Sequence, residues 1–129
     1  MILIDTSAWV EFLRDTGSPV CERVDDLLAA RIATTDSIRM EVLAGGRSER
    51  HLGELRRLLA RASLLSTGAT DYEDAAAIYR ACRHGGDTVR KLIDCLIAAT
   101  AIRTDVPVLR AEADFDRVAR HTSLRVDAL

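Results

Sequence analysis

Between Leu92 and Ile102 every residue except Asp94 and Thr100 is apolar. An amphipathic surface helix buries a single stripe, so a segment apolar nearly all round belongs inside the molecule with other elements on several sides. The rest of the chain has to wrap this helix. At 129 residues with 48% hydrophobic content, it has the material for one sizeable core, and a single domain over 1–129 is expected.

The wrapping elements alternate. Apolar runs too short for helices, several rich in Val and Ile, occur at 2–4, 32–34, 63–65, 106–109 and 124–126 and read as strands. Between them, helical periodicity covers 7–14, 19–30, 37–44, 49–62, 72–83, 88–103 and 115–121. Ser18-Pro19 is a cap followed by proline at the first helical position, and Asp71 to Asp74 and Thr88 supply further start signals. Gly45-Gly46 ends one helix, and Gly85-Gly86 separates two others. Strands alternating with helices imply an α/β/α sandwich, a mostly parallel sheet of about five short strands covered on both faces. Ligands in such sheets bind at the carboxyl ends of strands. Asp5 follows the first strand directly.

Composition excludes several function classes. Charged residues make up 29% and the net charge is −2, which argues against disorder and against a globally basic nucleic-acid coat. Cys21, Cys82 and Cys95 form no C-x-x-C pair and no zinc spacing with a histidine, so buried, reduced thiols are expected. The chain opens on strand-like MILID, and no apolar run approaches bilayer length; a soluble, cytoplasmic setting without membrane contact follows as an expectation.

Carboxylates stand in costly places. Asp94 lies within the buried helix, where an unpartnered charge is strongly unfavourable; Arg90 or Lys91 on the same helix is one possible partner, and a metal ion is another. Glu41, three residues from Ile38 and next to Val42, leans toward the core or marks its boundary. Glu112, Asp114 and Asp116 follow the run 106–109, as caps of the helix 115–121 or as a further acidic group at a strand end. Taken together, converging carboxylates repel one another, and oxygen-only ligation of that kind favours Mg²⁺ or Mn²⁺. Such a pocket suits phosphate chemistry.

The stretches "ILIDTSAWVEFL", "MEVLAGG", "TVRKLIDCLIAATAI" and "VLRAEADFDRVARHTSLRV" resemble, in order and spacing, the motifs of the PIN-domain family, and in particular the VapC-type ribonuclease toxins of bacterial toxin–antitoxin operons. The resemblance spans essentially the whole chain. It implies a PIN-like sandwich with an acidic site for Mg²⁺ or Mn²⁺, in which Asp5, Glu41, Asp94 and Asp114 are catalytic. Asp5, Asp94, Glu112 and Asp114 are the implied metal ligands. Glu112 stands where many relatives have aspartate. Thr6 and Ser7 match small hydroxyl residues that hold the first aspartate, contact the scissile phosphate, or cap the helix. A homodimer and a VapB-type antitoxin that blocks the acidic pocket are also implied.

The leading expectation is therefore a metal-dependent endoribonuclease toxin that cuts tRNA or other structured RNA to 5'-phosphate and 3'-hydroxyl ends and so inhibits translation and growth. Arg90 is expected to steady the site, and the basic stretches 47–61 and 80–91, each carrying a net +3, to track the RNA backbone. The alternative is a catalytically silent PIN-like module that binds RNA or a partner. A metal-free ribonuclease needs positioned histidines, and His51, His84 and His121 fall on separate segments. A phospho-acceptor domain lacks its D-x-D-x-T/V pattern here, because Asp5 is followed by Thr-Ser-Ala.

Overall fold

The structure, a computed structural model, describes residues 1–127. Its centre is a parallel four-stranded sheet of order β3-β2-β1-β4, with β1 at Ile2–Ile4, β2 at Ile32–Thr34, β3 at Ser63–Leu64 and β4 at Val108–Leu109. Leu3 stands opposite Ala33 on one side and Val108 on the other. The expected fifth strand at 124–126 contracts to a single parallel bridge between Val126 and Val108. β4 itself has only two residues, so it offers little edge to extend; Arg23 then pins the following Asp127 by an ion pair of 2.9 Å.

Seven helices surround the sheet among the described residues: α1 (Thr6–Leu13), α2 (Pro19–Leu27), α3 (Asp36–Ala44), α4 (Glu49–Leu59), α5 (Ala69–His84), α6 (Leu92–Thr104) and α7 (Asp114–Ala119). Side-chain caps fix several starts: Ser18 accepts from the Cys21 N–H, Thr35 from Ile38 and Ser48 from His51. The α6 helix ends on Asp105 at φ 55°, a left-handed conformation that aspartate tolerates better than most side chains.

Ile97, Ala98, Ala99 and Ala101 of α6 are buried against Leu3, Ile4, Trp9, Ile38, Val108 and Phe115. This is the apolar helix expected at the centre, except that Leu92 at its start is 60% exposed. Its start also differs from expectation. Residues 88–91 are not helical; the N–H groups of Arg90 and Lys91 are instead spent on the Asp114 carboxylate. At the far end, Arg103 grips the buried Asp71 of α5 through Nε and Nη2 at 2.8 and 2.9 Å and reaches the Ser66 carbonyl at 2.6 Å. That guanidinium holds the Asp71 carboxyl below its ordinary range. Cys21, Cys82 and Cys95 are buried and free, as expected.

Candidate active site

The acidic residues meet where β1 and β4 end. Asp5 is buried and caps α1: its Oδ2 accepts the Ser7 N–H at 3.0 Å and the Ser7 hydroxyl at 2.6 Å. The same hydroxyl accepts the Ala111 N–H at 2.9 Å, so Ser7 ties the first strand end to the loop that carries Glu112. Thr6 turns the other way and donates to Glu41 Oε1 at 2.9 Å. These two hydroxyls hold carboxylates in place. Asp94 enters from the first turn of α6 and is 4% exposed.

Asp114 lies behind them, fully buried. Its Oδ1 accepts the Arg90 N–H at 2.9 Å and the Arg117 guanidinium at 3.0 Å, and its Oδ2 accepts the Lys91 N–H at 2.9 Å. One carboxylate oxygen each from Asp94, Glu112 and Asp114 lie within 4.8 Å of one another. Asp5, Thr6, Ser7, Val10, Glu41, Lys91, Asp94 and Glu112 line an open concavity of about 240 Å³.

The electrostatics follow from burial and crowding. Burial, a hydrogen bond to Asp114 and the charges on Asp5, Asp114 and Glu112 push the Asp94 carboxyl up to about 8. Burial also raises Asp5, against the opposing hydrogen bonds from Ser7 and Thr6. Asp114 goes the other way: burial would raise it, but the Arg90 and Lys91 amides, the Asp94 carboxyl and Arg117 together keep it low. Two oxygens, Asp5 Oδ1 and Asp94 Oδ2, are buried without a hydrogen-bond partner among the described residues. An orphaned acceptor costs about 1–3 kcal/mol, more when charged, and a hard divalent cation is the partner that an all-oxygen donor set suits. The residues present fit such an ion.

Arg90 stands apart from this set. Its side chain lines a neighbouring groove with Tyr79, Arg80 and Leu92, and its tie to the acids runs through its backbone N–H. Neither Arg90 nor Lys91 forms an ion pair with Asp94 among the described residues; Lys91 Nζ sits on Glu112 at 3.3 Å. Asp116 pairs with Arg110 at 2.9 Å, outside the concavity. None of the three histidines lines it either. A second groove, lined by Val10, Leu13, Arg14, Glu41, Arg47 and His51 among others, shares Val10 and Glu41 with the acidic concavity.

One arrangement has no counterpart in the sequence reading. Asp87 accepts from Arg120 at 2.9 and 3.1 Å and meets His121 Nε2 at 2.7 Å, which clamps the segment leading to Arg90 and Lys91 onto the end of α7. A Cβ at Gly85 would collide with the His121 ring. Gly85-Gly86 had the look of a helix separator; the tight packing of the first glycine leaves no mark in local sequence.

A strand-end aspartate, an acidic pocket over a short parallel sheet and a central apolar helix define an α/β fold with an acidic site, and the chain belongs to the PIN-domain family, whose model it matches over residues 2–121. It is 49% identical to ribonuclease VapC11 of Mycobacterium tuberculosis and to a VapC ribonuclease of Mycobacterium bovis, over 97% of this chain and 96% of each relative. In solved structures it resembles VapBC2 from Rickettsia felis, bound there to a promoter DNA fragment, with a TM-score of 0.77, 17% identity and 98% of both chains covered.

Proposed function

We propose that this chain is a metal-dependent endoribonuclease, the toxin of a VapBC-type toxin–antitoxin module. The observation that carries the metal dependence is the pair of buried, unpartnered oxygens on Asp5 and Asp94, both on residues lining one concavity. Asp5 and Asp94 would hold Mg²⁺ or Mn²⁺ directly, Asp114 would complete the set from behind, and Glu112 would reach it directly or through water. Bound there, the ion supplies a lowered pKa for water and neutralises charge on the phosphate oxygens and leaving group.

The chain's own residues do the rest. Thr6 occupies one oxygen of Glu41, which leaves the other to orient the attacking water and accept its proton. Ser7 fixes Asp5 and, with Thr6, lies at the start of α1 where phosphate is favoured. Attack in line with the 3'-oxygen leaves 5'-phosphate and 3'-hydroxyl ends. Arg14 and Arg47 on one neighbouring groove and Arg80 and Arg90 on another would follow the backbone of tRNA or another structured RNA. Cleavage of such RNA would stop translation and growth.

The near-full-length likeness to VapC ribonucleases supports a VapB-type antitoxin as partner, and a homodimer is proposed on the same likeness. The groove that joins the acidic concavity at Val10 and Glu41 suits an antitoxin segment that inserts a basic side chain among the acids. A cytoplasmic setting fits this role, and no described helix is long and apolar enough to cross a membrane.

A second reading, a silent RNA- or partner-binding module, draws on the compensation already in place: Arg117 neutralises Asp114 and Lys91 neutralises Glu112. Cleavage of a cellular RNA pool with Mn²⁺, wild type against Asp94→Asn, separates the two. Discrete cuts with 5'-phosphates, lost in the variant and in chelator, are expected. Equal cutting by both proteins refutes the role of Asp94, and no cutting of any RNA favours the silent module.

A further inference from the structure

Lys91 is the single lysine among eighteen basic residues, and among the described residues it is the one basic residue lining the acidic concavity. Its backbone is fixed twice over, as the residue that starts α6 and as a donor to Asp114 Oδ2 at 2.9 Å. The ammonium rests on Glu112 Oε2 at 3.3 Å with 57% of the side chain exposed, so the pair sits at the open mouth. Unlike a planar guanidinium, an ammonium is a compact charge with three rotatable donors on a flexible stem. It can grip a carboxylate oxygen and a phosphate oxygen together.

We propose that Lys91 is the second cation of the site: its ammonium neutralises Glu112, confines the pocket to a single divalent ion, and donates to the phosphate of the bound RNA strand. This rests on the reading of the pocket as a metal-dependent nuclease centre. With Glu112 engaged by the ammonium, the free buried oxygens of Asp5 and Asp94 are the direct seat for one ion.

The test is Mn²⁺ titration of the full chain, with free Mn²⁺ followed by its paramagnetic resonance signal, alongside RNA cleavage. Wild type should take one ion, and Asp94→Asn should lose it. Lys91→Met should bind Mn²⁺ about tenfold tighter or take a second ion, since a unit charge a few ångströms from a divalent cation is worth roughly a decade even in bulk water. It should nonetheless cut RNA more slowly, and Lys91→Arg should keep wild-type Mn²⁺ binding. Identical Mn²⁺ affinity and stoichiometry in wild type and Lys91→Met overturns the proposal while the loss in Asp94→Asn leaves the metal centre standing. Cleavage by Lys91→Met at the wild-type rate overturns the phosphate contact. Mn²⁺ binding that survives Asp94→Asn overturns the metal centre and the proposal together.

Discussion

Asp94 should make the metal-free protein less stable as pH rises, and Asp94→Asn should remove most of that dependence. In the folded chain its carboxyl titrates near 8, against 3.8 for the ordinary group. Between those values the unfolded chain has released the proton and the folded chain still holds it, so the unfolded state gains on the folded one with each step up in pH. Full conversion at about 1.4 kcal/mol per pH unit would give roughly 5–6 kcal/mol across the window, and water in the open pocket discounts this to about 2–3 kcal/mol. Asn keeps the shape without the charge.

In chelator at pH 8, Asp94→Asn should therefore be more stable than wild type by about 2 kcal/mol, a rise in Tm of roughly 5–10 °C for a chain of this size. At pH 4.5 the two should nearly coincide. Added Mn²⁺ should reverse the order, because an ion at a hundredfold its Kd stabilises the folded wild type by about 2.7 kcal/mol and gives the variant almost nothing. Urea melts at pH 4.5, 6 and 8 with chelator or Mn²⁺ measure all of this. Parallel pH curves for the two proteins, or equal stabilisation of both by Mn²⁺, would refute the assignment of a protonated, metal-seeking Asp94.

Other perturbations probe separate parts of the molecule. Thr6→Val should lower turnover by about ten- to a hundredfold through a misplaced Glu41 while leaving Mn²⁺ affinity unchanged, and Thr6→Ser should restore the rate; unchanged turnover in Thr6→Val removes the hydroxyl from the mechanism. Asp71→Ala, which strands Arg103 and opens the α5–α6 contact, should cost about 3 kcal/mol in urea unfolding. Because the Asp71 carboxyl is held low, its contribution is present above pH 4 and is lost as the solution is acidified through the folded value; a Tm difference that persists unchanged at pH 2.5 would contradict the pairing. Gly85→Ala should cost about 1–3 kcal/mol by overpacking against His121, and most of that should return in the double variant with His121→Ala.

The fold and the site were legible in the sequence to different depths, for physical reasons. Strand β1 showed as an Ile-rich run and β2 as a short apolar one, α2 showed through its Ser18-Pro19 cap and periodicity and α4 through periodicity alone, since those signals are local. The run 124–126 carried the same local signal but met a two-residue β4, so it paired through one bridge only. Asp94 was recognisable because it sits where a charge is expensive and Asp5 because it follows a strand directly, whereas Glu41, Glu112 and Asp114 stood out only through the resemblance to the PIN-domain motifs. Their holders were not recognisable. That Ser7 reaches Ala111, that Asp87 binds Arg120 and His121, and that Arg90 turns its side chain to another groove depends on distant segments meeting.

The residues 88–91 show most clearly what local reading misses. Thr88 looked like a helix start, and nothing in the stretch forbids a helix continuing into α6. Tertiary structure offers those amides a better use: Arg90, at a bend, and Lys91, in extended conformation, aim two N–H groups at both oxygens of the buried Asp114. Hydrogen bonds to a charged acceptor are roughly twice as strong as neutral ones, so giving up one helical turn to hold a carboxylate is favourable. The same conformation sends the Lys91 side chain into the acidic pocket while the Arg90 side chain lines the neighbouring groove. Local preference loses here because the carboxylate has to be held, and a segment that departs from its own propensity beside a cluster of acids is a mark of function.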